Sequence, residues 1–193
     1  YLSAEAFEPP AQNANYSEKL VALPNLGSCY TPLPVTGVEP DLARLGIGSD
    51  GAILVCPGTP YKYAPQHDFV FVEIARRLGK CRFVFFTWQI RALSELLRRR
   101  LEASFSAAGL NFSDYGVFVP WQSTPGFYGL MKRADVFLDT IGFSGFNTAI
   151  QAVECNLPVV AKDGRFMRGR LASGILRRMG MHELIAETTE DYV

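Results

Sequence analysis

From residue 52 onward, short apolar runs alternate with longer segments in which apolar residues recur at helical spacing. The runs contain almost no polar residues, so they predict strands that are buried on both faces, as in a parallel sheet covered by helices. Right-handed crossovers between such strands build an α/β fold with a Rossmann-like, doubly wound parallel sheet. The predicted strands are residues 52–56, 82–87, 117–119, 136–138 and 157–161.

The segments between the runs predict helices. Apolar residues mark one helix face from Phe71 and another over residues 90–101, and a helix is predicted over residues 166–179. The first 48 residues differ, because they are rich in proline and lack a period, apart from one possible strand at residues 20–23. We therefore predict an arm or linker over residues 1–48 and a Rossmann-like domain over residues 49–193.

The amino-acid composition limits the classes of binding partner that we expect for this chain. The 193 residues include 19 basic and 19 acidic ones, so the total charge suggests neither nucleic-acid nor membrane-surface binding, and no apolar run approaches the length of a membrane span. The four cysteines are widely spaced, which predicts free thiols, a cytoplasmic location and no metal site. The chain begins at Tyr1 rather than Met, and we expect it to be part of a longer protein.

Basic residues are nevertheless clustered. Residues 76–100 contain eight Lys or Arg and one acid, and residues 162–178 contain six and one. For Arg98, Arg99 and Arg100 a solvated helix face is the preferred interpretation. The second cluster follows a predicted strand and could face a bound diphosphate.

The clearest chemical signal is the segment from Asp139 to Thr148. A strand runs into a turn that contains Gly142 and Gly145, and a helix then begins with Asn147 and Thr148. Free N–H groups at a helix start bind anions, although the glycines alone are equally consistent with a tight connection and the polar pair with helix capping. The sequence thus predicts phosphate recognition here.

Other loops are expected to end at the same edge of the sheet. Lys62 follows the first predicted strand on a turn that could bring its ammonium group to a phosphate. Trp121 and Phe127 follow the third strand and could stack on a base, although core packing is the preferred interpretation of Trp121. His67 begins a predicted helix and His182 lies in the last strand-like segment, and neither has a visible catalytic companion.

Several segments together resemble a known family. The chain is similar to the C-terminal, donor-binding half of O-GlcNAc transferase-like (SPINDLY-like) glycosyltransferases, and the bacterial members that carry tetratricopeptide repeats look nearest. Residues 23–30 resemble the stretch that leads into this half. The segments that carry the resemblance are residues 133–140, 145–148, 156–160, 164–170, 175–180 and 183–186.

The resemblance implies the C-terminal domain of a GT-B fold and inverting transfer of GlcNAc or a hexose from a UDP-sugar to a protein side chain. It implies that no metal or cofactor is required, and that the acceptor protein is bound by an N-terminal region outside this chain. Lys62 matches a lysine that contacts the donor diphosphate, where it would stabilise the leaving group. The implied donor-binding residues are Thr59, Lys62, Gln122, Thr124, Phe127, Gly145, Phe146, Asn147, Thr148 and Gln151.

Four of these positions depart from the family pattern. Thr124 replaces a lysine beside the nucleoside, and Phe127 replaces a histidine that stacks on the base. Gln151 stands where a carboxylate grips the ribose hydroxyls, and Phe146 replaces a polar residue of the animal enzymes. Two alternatives therefore stay open: a UDP-sugar epimerase-like GT-B domain, and a catalytically degenerate interaction module. A dehydrogenase is disfavoured, because no Gly-x-Gly-x-x-Gly follows the first strand.

Overall fold

The structure is a computed structural model that describes residues 1–9, 16–48 and 50–193. Strands and helices alternate along most of the chain, as the apolar pattern predicts. The strands are β1 (Leu2–Ala4), β2 (Val21–Leu23), β3 (Ala52–Cys56), β4 (Cys81–Phe86), β5 (Gly116–Val119), β6 (Val136–Leu138), β7 (Val159–Lys162) and β8 (Ile185–Ala186). The helices are α1 (Asp68–Leu78), α2 (Arg91–Ala107), α3 (Thr124–Arg133), α4 (Asn147–Glu154), α5 (Leu171–Met179) and α6 (Thr189–Tyr192).

The main sheet of the described chain has six parallel strands in the order β5-β4-β3-β6-β7-β8. At its centre, Val55 pairs with Val84 on one side and with Phe137 on the other. The chain builds outward from β3 in one direction and then from β6 in the other, so the two neighbouring strands form the switch point at which ligands bind in such sheets. The predicted doubly wound Rossmann-like fold is confirmed.

Both faces of this sheet are buried, which explains why its strands contain few polar residues, Arg82 of β4 and Lys162 of β7 among them. On one face Phe83 and Phe85 of β4 pack with Phe71 of α1 and Phe105 of α2. On the other face Val55, Val84, Val119 and Leu130 form a second cluster. Each fully buried side chain of this size contributes about 1.5–3 kcal/mol relative to exposure, so the two layers hold the strands from both sides.

The helix predicted over residues 166–179 is wrong at its start. A 3-10 turn spans Met167–Gly169, and α5 begins only at Leu171. Close approach of backbones explains the break, because a Cβ built on Gly164 would lie 2.6 Å from the carbonyl oxygen of Gly169. This part of the chain is therefore a compact loop after β7 rather than the first turns of a helix.

Two smaller predictions were also wrong. The helix face predicted to include Ile90 begins one residue later, since α2 starts at Arg91 and Ile90 is 58% exposed. His182 lies in the 3-10 turn His182–Leu184 before β8 rather than in a strand. α2 begins at the residue after Ile90, and β8 begins at Ile185, so both errors affect boundaries rather than elements.

The arm predicted over residues 1–48 forms a small sheet of its own. β2 matches the predicted strand at residues 20–23, and β1, which was not predicted, pairs with it in parallel. Phe7, which is buried, contacts the edge of the Phe146 ring at 5.7 Å between centroids and lies against Gly174 of α5. The arm therefore packs directly beside the start of α4. The division into two parts at residue 48 stays a prediction.

Candidate functional site

An open pocket of about 200 Å³ lies at the carboxyl ends of the central strands. Loops that follow β3 and β5 and the first two turns of α4 form its walls, which places it at the switch point of the sheet. Half of the predicted donor-site residues line this single space. Its lining residues are Pro57, Phe86, Trp121, Gln122, Thr124, Phe127, Thr148 and Gln151.

A buried aspartate shapes the glycine turn after β6. Asp139 accepts hydrogen bonds from the hydroxyl of Ser144 at 2.6 Å and from the backbone N–H of Gly145 at 2.8 Å. The Ser144 oxygen in turn accepts from the backbone N–H of Ala172, at the start of α5, at 2.8 Å. The turn is thus hydrogen-bonded to the residue that follows β6 and to the start of α5.

Burial has an electrostatic consequence for the same carboxyl group. Loss of solvent raises the pKa of Asp139 to about 6, while the hydrogen bonds from Gly145 and Ser144 favour the ionised form and limit the rise. Asp139 and Ser144 were not among the predicted site residues. The sequence pattern that could have identified them is an Asp immediately after an apolar strand, followed by a Ser between the two glycines of the turn.

The start of α4 has open backbone donors. The helix begins at Asn147, and Phe146 in the N-cap position supplies no side-chain hydrogen bond. The positive end of the helix dipole and the first N–H groups are therefore free to meet an anion. A side chain at position 145 would block the approach, because its Cβ would lie 2.5 Å from the hydroxyl of Thr148. Phe146 itself turns toward Phe7 of the arm.

Lys62 reaches the glycine turn from the other side of the switch point. It ends a 3-10 turn, Pro60–Lys62, that follows β3. Its Nζ atom lies 3.4 Å from the carbonyl oxygen of Ser144, 82 residues away in sequence, and 4.5 Å from the centroid of the Phe143 ring. The neighbouring Thr59 has a buried hydroxyl that makes no hydrogen bond within the described residues. The structure thus places the Lys62 ammonium group at the glycine turn that precedes α4.

The second basic cluster is only partly available to a ligand. Arg170 and Arg177 each approach Asp163 to 2.6 Å, and Ser173 donates to the same carboxylate. Burial would raise the pKa of Asp163, but the hydrogen bonds from Ser173 and Arg177 and the charges of both arginines outweigh it and lower that pKa. These two arginines hold the loop together. The exposed side chains of Arg165 and Arg168 instead flank the ring of Phe166.

Two expectations about single residues were wrong. Trp121 was expected in the core, but it is 61% exposed and lines the pocket. Arg100 was expected on a solvated face, but it donates to Asp68 at 2.6 Å and to the carbonyl of Tyr63 at 2.9 Å. In each case the helix or loop was predicted correctly, and only the neighbouring element decided which way the side chain is directed.

Three further findings bear on function. All four cysteines lie in the described ranges and carry free thiols. No cluster of three or more His, Cys, Asp or Glu side chains suited to a metal ion occurs within residues 1–9, 16–48 and 50–193. In the same ranges, no helix has the length and hydropathy needed to span a bilayer.

Comparisons with known proteins agree with the resemblance noted above. No protein-family model matches the chain. The chain is 26% identical over 200 residues to the probable UDP-N-acetylglucosamine–peptide N-acetylglucosaminyltransferase SPINDLY of Solanum lycopersicum, and 22% identical over 186 residues to that of Hordeum vulgare. Each alignment covers 96% of this chain, which spans about a fifth of the length of these relatives (20% and 19%).

Solved structures show the same fold. A mutant of the Thermobaculum terrenum O-GlcNAc transferase superposes with a TM-score of 0.83 at 24% identity, covering 99% of this chain and 35% of that one. The UDP-GlcNAc 2-epimerase of Neisseria meningitidis superposes with a TM-score of 0.51 at 11% identity, over 79% of this chain and 36% of that one. The chain is therefore similar to O-GlcNAc transferase-like glycosyltransferases over nearly all of its length and has the fold of a GT-B glycosyltransferase domain.

Proposed function

We propose that this chain is the donor-binding domain of an inverting glycosyltransferase that transfers a sugar from a UDP-sugar to a protein side chain. One observation carries the proposal: the ammonium group of Lys62 and the open start of α4 meet at one glycine turn. Thr148 belongs both to this turn of helix and to the lining of the adjacent pocket. A cationic corner beside an uncharged, partly aromatic pocket suits a diphosphate joined to a nucleoside.

The arrangement also suits the cleavage of the bond between the sugar and the diphosphate. When the glycosidic bond of a nucleotide-sugar breaks, negative charge grows on the diphosphate that leaves. Lys62 and the N–H groups at Asn147 and Thr148 would stabilise that charge more in the transition state than in the bound donor, which is the condition for catalysis. Lys62 is thus the proposed catalytic residue, acting on the leaving group. This role needs no metal or cofactor.

The remaining donor contacts and the partners are part of the same proposal. Gln122 and Phe127 would hold the base, Thr124 and Gln151 the ribose side, and Thr59 the diphosphate. Parts of the protein outside this chain, with tetratricopeptide repeats, would bind the protein acceptor. The free cysteines and the balance of 19 basic and 19 acidic residues support a cytoplasmic protein that binds neither membranes nor nucleic acids.

Calorimetric titration of the 193-residue chain with UDP tests the donor site. We expect binding, and we expect Lys62→Ala to weaken it by about 1–3 kcal/mol, because a charged hydrogen-bonding partner is lost. Lys80→Ala is the matched control, since Lys80 precedes β4 at the opposite edge of the sheet and its side chain is 79% exposed. Failure of UDP to bind at millimolar concentration would contradict the proposal.

Two other functions make different predictions for the full-length protein. The fold shared with a UDP-GlcNAc 2-epimerase keeps an epimerase-like domain as a second candidate. Transfer of labelled sugar to protein with release of UDP supports the transferase, whereas conversion of one UDP-sugar into another supports the epimerase. A degenerate interaction module would produce neither reaction, and its partner binding would not change with Lys62→Ala.

A further inference from the structure

One wall of the pocket is an exposed tryptophan. Trp121 lies two residues beyond β5, and 61% of its surface is exposed even though it lines the pocket. Tryptophan is highly buried on average in folded proteins. A large aromatic side chain left exposed beside a cavity is typical of a ligand-binding surface.

The indole ring of Trp121 is supported from behind. It meets the ring of Trp88 edge to face, with 5.2 Å between centroids and an angle of 68° between the planes. The backbone at Trp88 is held in turn, because its N–H donates to the hydroxyl of Ser94 at 2.8 Å, and Ser94 is buried in α2. A ring positioned in this way loses little conformational entropy when a ligand binds to it.

A second aromatic ring borders the same space. Phe127 of α3 lines the pocket and contacts the edge of Phe86 at 5.5 Å between centroids. Trp121 and Phe127 are thus each supported by a different aromatic neighbour, while both face one pocket of about 200 Å³. The polar residues of the lining, which include Gln122 and Gln151, are uncharged. Uncharged polar groups between aromatic rings match the chemistry of a nucleobase rather than that of a phosphate.

We propose that Trp121 stacks on the nucleobase of the donor, and that Trp88 is the positioning residue that holds Trp121 in place. This inference rests on the proposed donor-binding function and adds the residue that secures the base. Stacking on an aromatic ring does not depend on which base is present. Removing the ring should therefore weaken binding of different nucleoside diphosphates by similar factors, about 5- to 100-fold.

Calorimetry with three ligands separates base binding from phosphate binding. UDP, GDP and inorganic pyrophosphate are titrated into the wild-type chain, Trp121→Ala, Trp121→Phe and Lys62→Ala. For each nucleotide that the wild type binds, we expect the affinity of Trp121→Ala to be about 5- to 100-fold lower. Its affinity for pyrophosphate should be unchanged. Trp121→Phe should recover most of the affinity, and Lys62→Ala should weaken nucleotide and pyrophosphate alike. Because Trp121 is exposed, its substitution should leave the circular dichroism spectrum unchanged.

Fluorescence gives an independent readout, because Trp88 and Trp121 are the only two tryptophans of the chain. In Trp121→Phe, Trp88 is the sole indole fluorophore, so nucleotide should quench the emission of the wild type more than that of this variant, whereas pyrophosphate should quench neither. Unchanged nucleotide affinity of Trp121→Ala, or absence of quenching, would overturn the inference. Pyrophosphate binding without nucleotide binding would overturn it and leave the phosphate site standing, whereas failure of both ligands would also overturn the proposed function.

Discussion

Two aspartates follow neighbouring strands of the sheet and organise their loops in opposite ways. Asp139 follows β6 and accepts from uncharged groups, among them the Ser144 hydroxyl and the Gly145 N–H. Asp163 follows β7 and accepts from two guanidinium groups, those of Arg170 and Arg177. Burial dominates the first site and raises its pKa to about 6, whereas hydrogen bonds and positive charges dominate the second and lower its pKa.

The difference explains which loop is open to an anion. No cation forms an ion pair with Asp139 within the described residues; Lys62 makes only a long hydrogen bond, 3.4 Å, to the Ser144 carbonyl, and the start of α4 has no side-chain cap, so both stay available to a ligand. The Asp163 loop uses two of the arginines that made residues 162–178 look like a phosphate site. Charge counted along a sequence therefore overstates the charge that a ligand meets when a carboxylate lies within the same loop.

The largest expected effect comes from Asp163→Ala. Arg170 is mostly buried, with 11% of its side chain exposed, and it would lose its counter-ion. Breaking such a pair from one side should lower the free energy of unfolding by about 3 kcal/mol, measured by urea denaturation. The double variant Asp163→Ala with Arg170→Met should recover much of this loss. Equal stability of the single and wild-type chains would show that the pair does not hold this loop.

Asp139→Ala should have the next largest effect. It leaves the Ser144 hydroxyl and the Gly145 N–H without an acceptor in a buried place, which should cost about 2 kcal/mol of unfolding free energy. Asp139→Asn is the matched control, because its amide oxygen can still accept from Gly145 and should preserve most of the stability. If both variants are as stable as the wild type, Asp139 does not organise the turn.

The two aspartates should also respond to pH with opposite signs. Because the folded-state pKa of Asp139 lies above the unfolded value, its stabilising contribution is complete below pH 3.8 and is lost as the pH rises through about 6. The wild type should therefore lose about 1 kcal/mol relative to Asp139→Asn between pH 5 and pH 7, measured by urea denaturation at both values. A pH-independent difference would contradict the raised pKa.

The lowered pKa of Asp163 has the reverse consequence. Its contribution is present above the unfolded value of 3.8 and is lost as the pH falls through the lower folded-state pKa. Relative to Asp163→Asn, the wild type should therefore lose stability only below about pH 4. Loss at neutral pH would contradict the ion-pair assignment.

The smallest effect is expected from the two exposed arginines of the same loop. Arg165 and Arg168 lie beside Phe166 at the surface, so Arg165→Ala and Arg168→Ala should each change the unfolding free energy by less than about 0.5 kcal/mol. Thermal denaturation of both variants and of Arg170→Ala would test whether Arg170 stabilises the fold while Arg165 and Arg168 do not. A loss comparable to that of Arg170→Ala would show that all three arginines are structural.

Most strand positions could be predicted because burial on both faces leaves little room for polar residues. β1 could not, since its pairing with β2 is a long-range contact between two three-residue segments. The start of α5 was misplaced for a similar reason: apolar spacing continues through residues 166–179, and only the contact of Gly164 with Gly169 shows that the chain turns there.

The order of apolar runs and helical segments by itself determined the parallel sheet, and with it the edge where loops carrying Lys62, Gln122 and Thr148 meet. This follows because a helix that connects two successive strands leaves them parallel, with their carboxyl ends at the same edge of the sheet. Only the tertiary structure decided which side chains remain available to a ligand. The Nζ of Lys62 is directed to the glycine turn and Trp121 is exposed, whereas Arg170 is paired with Asp163. A side chain's availability depends on groups distant in sequence that compete for it, and those become neighbours only on folding.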